Sequence, residues 1–313
     1  MTYTYERVTP AHLPAIRSFM SNVQLGASVP WNWLNDRLSF TFAVSCAMHE
    51  TNEEEWASRA ALYRDGNGDI ASVVLTEGEN RGEVFFMSGP DELPEELIRR
   101  MLGFAEEHSA SHTADGGRIM HLRIDPRFSL RAAIAVEHGF TRTDWSEPLS
   151  RFALDAARPV AEQDRTGIPA GYTLIEGPEP RLKSICHSRA FGYAEDEAMR
   201  ARNEAGFAKL TTMPDHMPFL DLLLVSDCGE PAAMMGFWYD GLLRSAMLEP
   251  AGTAPDHRRK GLGRILVNEG ANRLRRLGAR SLWVGSDQRF YLDCGFETVH
   301  RWDVYTKKWQ GTS

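Results

Sequence analysis

Cysteine is scarce: the 313 residues hold four, Cys46, Cys186, Cys228 and Cys294, with no C-x-x-C pair and no histidine at zinc-finger spacing. That scatter excludes a disulfide framework and a structural zinc module, and it predicts free thiols in a reducing compartment. Positive charge is also short. Thirty-five Lys and Arg against 43 Asp and Glu leave a net charge of −8, which argues against nucleic acid or an anionic membrane as main partner, since both need a broad basic surface. Any anion site must be local. No window approaches the roughly 18 apolar residues of a membrane span. The opening MTYTYERVTPAHLPAI has neither the basic region nor the apolar core of a signal peptide. The expectation is a cytoplasmic protein. Two familiar phosphate loops are missing too: there is no G-x-x-x-x-G-K-[ST], and a dinucleotide G-x-G-x-x-G fails at Leu266.

What is present suits a soluble globular chain, 42% hydrophobic and 25% charged, long enough for two domains. The two halves read alike. AAIAVEHGFTRTDWSEPLSRFAL and DQRFYLDCGFETVHRWDVYTKKW each run a short helical pattern into Gly-Phe, a polar step and an aromatic-rich strand. Gly139-Phe140 precedes Gly295-Phe296 by 156 residues (295 less 139), half the chain. Upstream, strand-length runs lead to a helix and another strand in both halves: FLDLLLVSD, PAAMMGFWY, LLRSAMLEPAG, RILVNEGANRLRRL and SLWVGS match RAALYRD, DIASVVLTEG, GEVFFMSG, PEELIRRMLGFAEEH and IMHLRID. Ile265, Leu266, Leu274 and Leu277 are the inward candidates of the second helix, which Gly278 stops. The polar stretch around DAARPVAEQDRTGIPAG separates the copies, so the expected domains are 1–155 and 171–313 with a linker at 156–170.

Before that helix stands APDHRRKGLGRIL, residues 254–266. A glycine-bearing turn entering a helix points free amides at one spot, and the helix dipole adds partial positive charge. Gly261 and Gly263 let the main chain approach an anion, with Leu262 between them, while Arg258, Arg259, Lys260 and Arg264 supply charge at the rim. On these residues alone, a solvated turn competes with an anion cradle.

The run MLEPAGTAPDHRRKGLGRILVNEGANRLRRLGARSLWVGS followed by FYLDCGF resembles the GNAT superfamily of acyl-CoA-dependent N-acyltransferases, in its order of strand, R-x-x-G-x-G loop, helix, strand and Tyr-x-x-x-Gly-Phe. The resemblance covers the second half well and reaches the first through the repeat, as in tandem GNAT chains. It implies an α/β (α+β) fold of two GNAT-like domains, each a mixed, mostly antiparallel sheet flanked by helices, the N-terminal copy being degenerate. It also implies acetyl-CoA as co-substrate, no metal, and acetyl transfer to a primary amine of a small molecule or peptide. The amides of Arg259–Arg264 would hold the coenzyme pyrophosphate, main-chain groups around Gly252, Thr253 and Ala254 would pair with pantetheine, and Tyr291 would be the general acid. The segment GSDQRF before Tyr291 is shorter than usual in the family and lacks its common Asn and Ala, so a shorter or displaced helix is expected there.

Acyl transfer from a thioester needs a neutral amine, oxyanion stabilisation and a donor to the departing sulfur, but no nucleophilic side chain. Glu249 is the leading base. It shares a face with Thr253 provided their strand has no bulge. Asp240 at the hairpin turn, His187 in RLKSICHSRAF, and no side-chain base at all are the alternatives. Trp238 and Tyr239, with Asp240, are candidates for the acceptor pocket, although strand aromatics are more often core. In the first half the loop position reads SGPDELPEEL: Pro90 and Pro94 remove amide donors, Asp91, Glu92, Glu95 and Glu96 repel phosphate, and Ala135 stands where the second half has Tyr291. Trp31 and Trp33 in VPWNWLNDR face the cleft or, more simply, a core. The competing functional reading is an acyl-CoA-binding regulatory or sequestering module without turnover. Oligomeric state is not legible.

Overall fold

The computed structural model describes residues 2–49, 51–77, 81–154, 167–193 and 196–311. Most of the expected linker, 156–166, lies outside the described residues. Two compact units form, and neither is a continuous stretch of chain: the first takes Met1–Leu34, His49–Pro148 and Val299–Ser313, the second Asn35–Met48 and Leu149–Thr298.

The first unit opens with β1 (Thr4–Arg7) and α1 (Leu13–Val23). The chain then enters the second unit for α2 (Asn35–Phe40), a π-helical turn over Thr41–Ser45 and α3 (Cys46–Met48). It returns for α4 (Glu53–Ser58), β2 (Ala61–Arg64), β3 (Ile70–Thr76), β4 (Glu83–Ser88), α5 (Glu95–His108), β5 (Ser111–His112), β6 (Arg118–Ile124) and α6 (Ser129–Glu137). Strand β7 (Thr141–Ala153) starts in the first unit and ends in the second. The second unit continues with β8 (Tyr172–Glu176), α7 (Pro180–Phe191), α8 (Glu197–Leu210), β9 (Asp221–Ser226), β10 (Pro231–Asp240), β11 (Ser245–Thr253), α9 (Leu262–Arg276), β12 (Ser281–Val284) and α10 (Arg289–Asp293). Strand β13 (Glu297–Trp309) leads from the second unit into the first.

Both units follow one plan. In the first, β1 to β4 form an antiparallel ladder, β6 adds parallel to β4, and β13 pairs antiparallel with β6 from Asp303↔Ile124 to Trp309↔Arg118. In the second, β8 to β11 are antiparallel, β12 adds parallel to β11, and the end of β7 pairs with β12 from Ser281↔Ala153 to Val284↔Ser150. The mixed, mostly antiparallel sheets flanked by helices thus occur twice, and each sheet completes itself with a strand from the other half of the sequence.

Strand β10 shows why an unbroken apolar run folds this way: both of its faces are covered. Ala233, Met235 and Phe237 pack with Leu266, Val267 and Leu274 of α9. Met234 meets Cys186 of α7, and Trp238 meets Ala43, Val44, Met48, Phe207 and Leu210. On α9 the inward stripe is Leu262, Leu266, Val267, Ala271 and Leu274, whereas Ile265 is half-buried and Leu277 exposed. The helix ends as expected at Gly278 (φ +84°), with the Ala279 amide reaching back to the Leu274 carbonyl. The four cysteines are free thiols, three of them buried. Trp31 and Trp33 belong to the first unit: the Trp31 indole donates to the Ser88 carbonyl, and Trp33 is buried edge-on to Phe85. Among the described residues no helix is long and apolar enough to cross a membrane.

Candidate active site

The site of the second unit lies where β11 and β12 part. Their parallel pairing lasts only from Ser245↔Ser281 to Met247↔Trp283, while β11 continues to Thr253. Beyond that point the edge of β11 is free of β12. The Ala254 amide donates to the Ala232 carbonyl of β10 at 2.9 Å. Antiparallel alternation then turns the main chain of Gly252 towards β10 and that of Ala251 and Thr253 away from it. Of the three residues expected along pantetheine, Thr253 alone offers an outward amide, and Ala251 joins it.

At the end of this edge the chain turns through the basic loop. Arg259 (φ 61°) and Gly261 (φ 79°) both adopt left-handed backbone. A Cβ at Gly261 would meet nothing within 4 Å, so conformation rather than space calls for glycine there. Gly261 is the N-cap of α9 and no side chain caps that helix, in contrast to α4 and α8, whose first turns are capped by Asn52 and Asp196. The first-turn amides of Leu262, Gly263 and Arg264 therefore lack an internal acceptor. The basic side chains divide in role. Arg258 braces the loop, donating to the Thr253 and Ala190 carbonyls at 3.0 and 2.8 Å, and Arg264 ties α9 to the Asp293 carbonyl at 2.7 Å. Arg259 and Lys260 are exposed at the rim, Lys260 3.3 Å from the Tyr172 hydroxyl. This cradle fits a pyrophosphate: uncapped amides, a helix N-terminus and two exposed cations.

Tyr291 lies in α10, which has five residues against nine in α6. Its ring packs edge-on to Phe290 and Phe296, 5.0 and 5.7 Å between centroids. Burial first, then the neighbouring Glu249 carboxylate, pushes its hydroxyl up to about 12. Tyr291 therefore stays protonated at neutral pH and presents an O–H donor.

Glu249 reaches the site through a bulge. Met235 pairs with Ala251 but Phe237 with Leu248, so β11 places both Glu249 and Pro250 opposite Gly236. A Cβ at Gly236 would stand 2.6 Å from the Glu249 carbonyl oxygen, and the Trp238 indole donates to that same oxygen at 2.6 Å. Trp238 is thus a buried clamp on the bulge, with no open face for an acceptor. The bulge also breaks the shared face of Glu249 and Thr253. Thr253 lies on the α9 side, near Gly263, whereas Gly252 packs on Ala190 of α7 and Glu249 interacts with Asp36 of α2.

The other candidates sit apart. Asp240 accepts the Leu242 and Leu243 amides at 2.9 and 3.0 Å and so closes the hairpin turn, and the Tyr239 hydroxyl donates to the Leu277 carbonyl. His187 is buried among Phe40, Phe191, Tyr193 and Phe207. Burial, then Lys183, depresses its pKa to about 3, so it is a neutral core imidazole. Lys183 pairs with Asp221 at 2.5 Å, and His216 approaches the other Asp221 oxygen at 3.3 Å, pinning α7 to β9.

The residue absent from sequence reasoning is Asp36. It comes from α2, far upstream, and is buried with neither carboxyl oxygen accepting a hydrogen bond of ordinary geometry. Burial, then Glu249, then Asp215, holds its carboxyl well above the usual carboxylate range, against a smaller opposing effect of the Arg37 amide and guanidinium. Asp215 in turn accepts the Ser39 hydroxyl at 2.7 Å. Nothing local in VPWNWLNDR signals this placement.

In the first unit β4 and β6 part after Phe85↔Arg123 in the same manner, but the gap is closed. Arg131 of α6 is buried there, donating to the Phe86 carbonyl at 3.2 Å and the Ser88 hydroxyl at 3.1 Å, with its guanidinium 4.2 Å from the centre of the Phe128 ring. Trp31 and Asn32 hold the Ser88 carbonyl, and Asn32 also accepts the Ser88 amide. Glu92 accepts the Leu130 and Arg131 amides, and α5 begins at Pro94 with Glu95 and Glu96 in its first turn.

Residues 183–296 match the Acetyltransferase (GNAT) family. No curated protein matches the chain significantly in sequence. Solved structures resemble it over its whole length at low identity. A tandem GNAT protein from the clavulanic acid biosynthesis pathway aligns over 100% of both chains with TM-score 0.63 at 15% identity. A GCN5-related N-acetyltransferase from Sphaerobacter thermophilus covers 99% of this chain and 97% of its own, with TM-score 0.61 at 18% identity. The glucosamine N-acetyltransferase region of a fungal multi-domain β-N-acetylglucosaminidase covers 98% of this chain and 38% of its own, with TM-score 0.58 at 14% identity. Residues 183–296 therefore carry the match to the GNAT acetyltransferase family, and the chain as a whole shares its fold with a tandem GNAT protein.

Proposed function

We propose that the second unit transfers the acetyl group of acetyl-CoA to a primary amine of a small molecule or peptide. The observation that carries this reading is the uncapped start of α9 in a basic loop, at the end of an unpaired strand edge. The amides of Arg259–Arg264 receive the pyrophosphate, with Arg259 and Lys260 closing over it. The outward main chain of Ala251 and Thr253 pairs with pantetheine, which runs along β11 as an added strand.

Glu249 takes the proton of the attacking amine, directly or through water, as carbon–nitrogen bond formation makes that nitrogen acidic. When the tetrahedral intermediate collapses, the Tyr291 O–H donates a hydrogen bond to the departing sulfur. With the phenol at about 12 and a free thiol near 8.5, full proton transfer is uphill. Tyr291 therefore stabilises the thiolate, and solvent supplies the proton.

The test is thiol release from acetyl-CoA across a panel of amines. Turnover that falls in Glu249→Gln and Tyr291→Phe while acetyl-CoA binding is kept supports the assignment. Tight binding without turnover on any amine returns the protein to a sequestering or regulatory module.

A further inference from the structure

Three acidic side chains extend the site away from Tyr291. Glu249 interacts both with Tyr291 and with Asp36, whereas Asp36 interacts with Glu249 and Asp215. Segment 35–48 packs on Trp238, whose indole holds the Glu249 carbonyl, so Asp36 and Asp215 neighbour Glu249 on that side of β11. Segment 35–48, which carries Asp36, is fixed to this face of the second unit: Ala43, Val44 and Met48 pack on Phe207, Leu210 and Trp238, and Ser39 holds Asp215.

Transfer to a single nitrogen needs one carboxylate, to take one proton. Asp36 and Asp215 are surplus to that chemistry, and Asp36 is a buried acid with no hydrogen bond of ordinary geometry on either oxygen. Native proteins rarely leave such a group unsatisfied, because it forfeits its hydration without a replacement, so it points to a missing partner. A divalent metal does not fit. Among the described residues no three His, Cys, Asp or Glu side chains converge closely enough to hold one. The spread-out acids match charges carried along a chain.

Resting on the acetyl-transfer reading, we propose that the acceptor carries a second cationic nitrogen beside the one acetylated, and that Asp36, backed by Asp215, binds it. The reacting nitrogen lies between Tyr291 and Glu249 and the second ammonium docks on Asp36, whose carboxyl releases its proton to solvent as the cation pairs with it, supplying the donors it lacks.

Diaminobutane, butylamine and aminobutanol, matched in length, serve as acceptors for wild type and Asp36→Asn, with binding followed separately by calorimetry. A hydrogen-bonded charge pair is worth about ten-fold to a hundred-fold. The wild type should favour diaminobutane over both comparators by that factor, mainly through KM. Asp36→Asn should erase most of the preference, and Asp36→Glu should restore part of it. Because the substitution removes an unsatisfied buried acid, it should leave Tm unchanged or raise it. Equal kcat/KM for diaminobutane and butylamine in the wild type overturns the proposal, as does an equal loss on both in Asp36→Asn. If no amine is turned over but diaminobutane binds in an Asp36-dependent way, the acetyl-transfer reading fails and the dication site stands. Absence of Asp36-dependent binding alongside turnover of monoamines gives the reverse.

Discussion

In the first unit the strands β4 and β6 diverge onto Arg131, Trp31 and Asn32; in the second, β11 and β12 diverge towards a basic loop and Tyr291. The two clefts start from the same three-residue parallel pairing. They differ in what the helix after the second strand brings to the gap. Eight residues before Gly139 the first copy has Arg131, and eight before Gly295 the second has Asp287; Ala135 and Tyr291 stand four before. One copy uses its splayed edge as a core, satisfying the strand carbonyls with its own side chains. The other leaves the end of β11 unpaired with β12. The same strand plan thus occurs once with its gap filled by side chains and once with it open.

The largest expected effect breaks the filled cleft. Arg131→Ala removes a buried cation while Glu92 and Asp125 remain near it, which should cost about 3–5 kcal/mol of stability by urea unfolding. It should not create a second acetyl-CoA site, because Pro94, Glu95 and Glu96 still occupy the mouth of α5. A loss under about 1 kcal/mol, or two bound ligands per chain by calorimetry, defeats the comparison.

Gly261→Glu attacks the open cleft. It forces a side chain into φ 79° and sets a carboxylate in the cradle, so acetyl-CoA affinity should fall roughly a hundred-fold or more. Retention of wild-type affinity would place the coenzyme elsewhere. Tyr291→Phe should lower kcat about ten- to a hundred-fold with little change in the KM for acetyl-CoA, whereas Ala135→Tyr in the first copy should add no activity.

The smallest effect at neutral pH concerns His187, a feature of the second unit. Its folded pKa of about 3 lies below the ordinary 6.5. The unfolded chain therefore binds a proton below pH 6.5 that the folded one refuses, and stability falls as pH drops from there towards 3. The slope is at most about 1.4 kcal/mol per pH unit. His187→Phe should flatten that part of the pH–stability curve; an unchanged slope shows that the imidazole titrates normally.

The basic loop, the paired Gly-Phe steps and Tyr291 were legible because each is local. A left-handed glycine before a helix and a tyrosine four residues ahead of a turn are set by neighbours a few residues away. Asp36, Trp238 and Arg131 were not. Asp36 reaches Glu249 only after a segment of the first half packs in the second unit, and sequence periodicity carries no address for such a partner. Trp238 reads as either pocket or core until its indole is seen on the bulged carbonyl. The bulge was invisible for a similar reason: the insertion of Glu249 and Pro250 opposite Gly236 alters register without altering composition. Arg131 in a helix normally marks a solvated face, and only the unpaired carbonyls of β4 explain its burial.

The exchanged segments tie distant parts of the sequence to each fold. The first sheet takes its strand beside β6 from residues 303–309, and Ala43, Val44 and Met48 pack with Trp238 of β10 and Phe207 and Leu210 of α8. Neither sheet is complete without residues from the other half of the sequence. Removing residues 303–309 would leave that edge of β6 unpaired and open to aggregation or proteolysis.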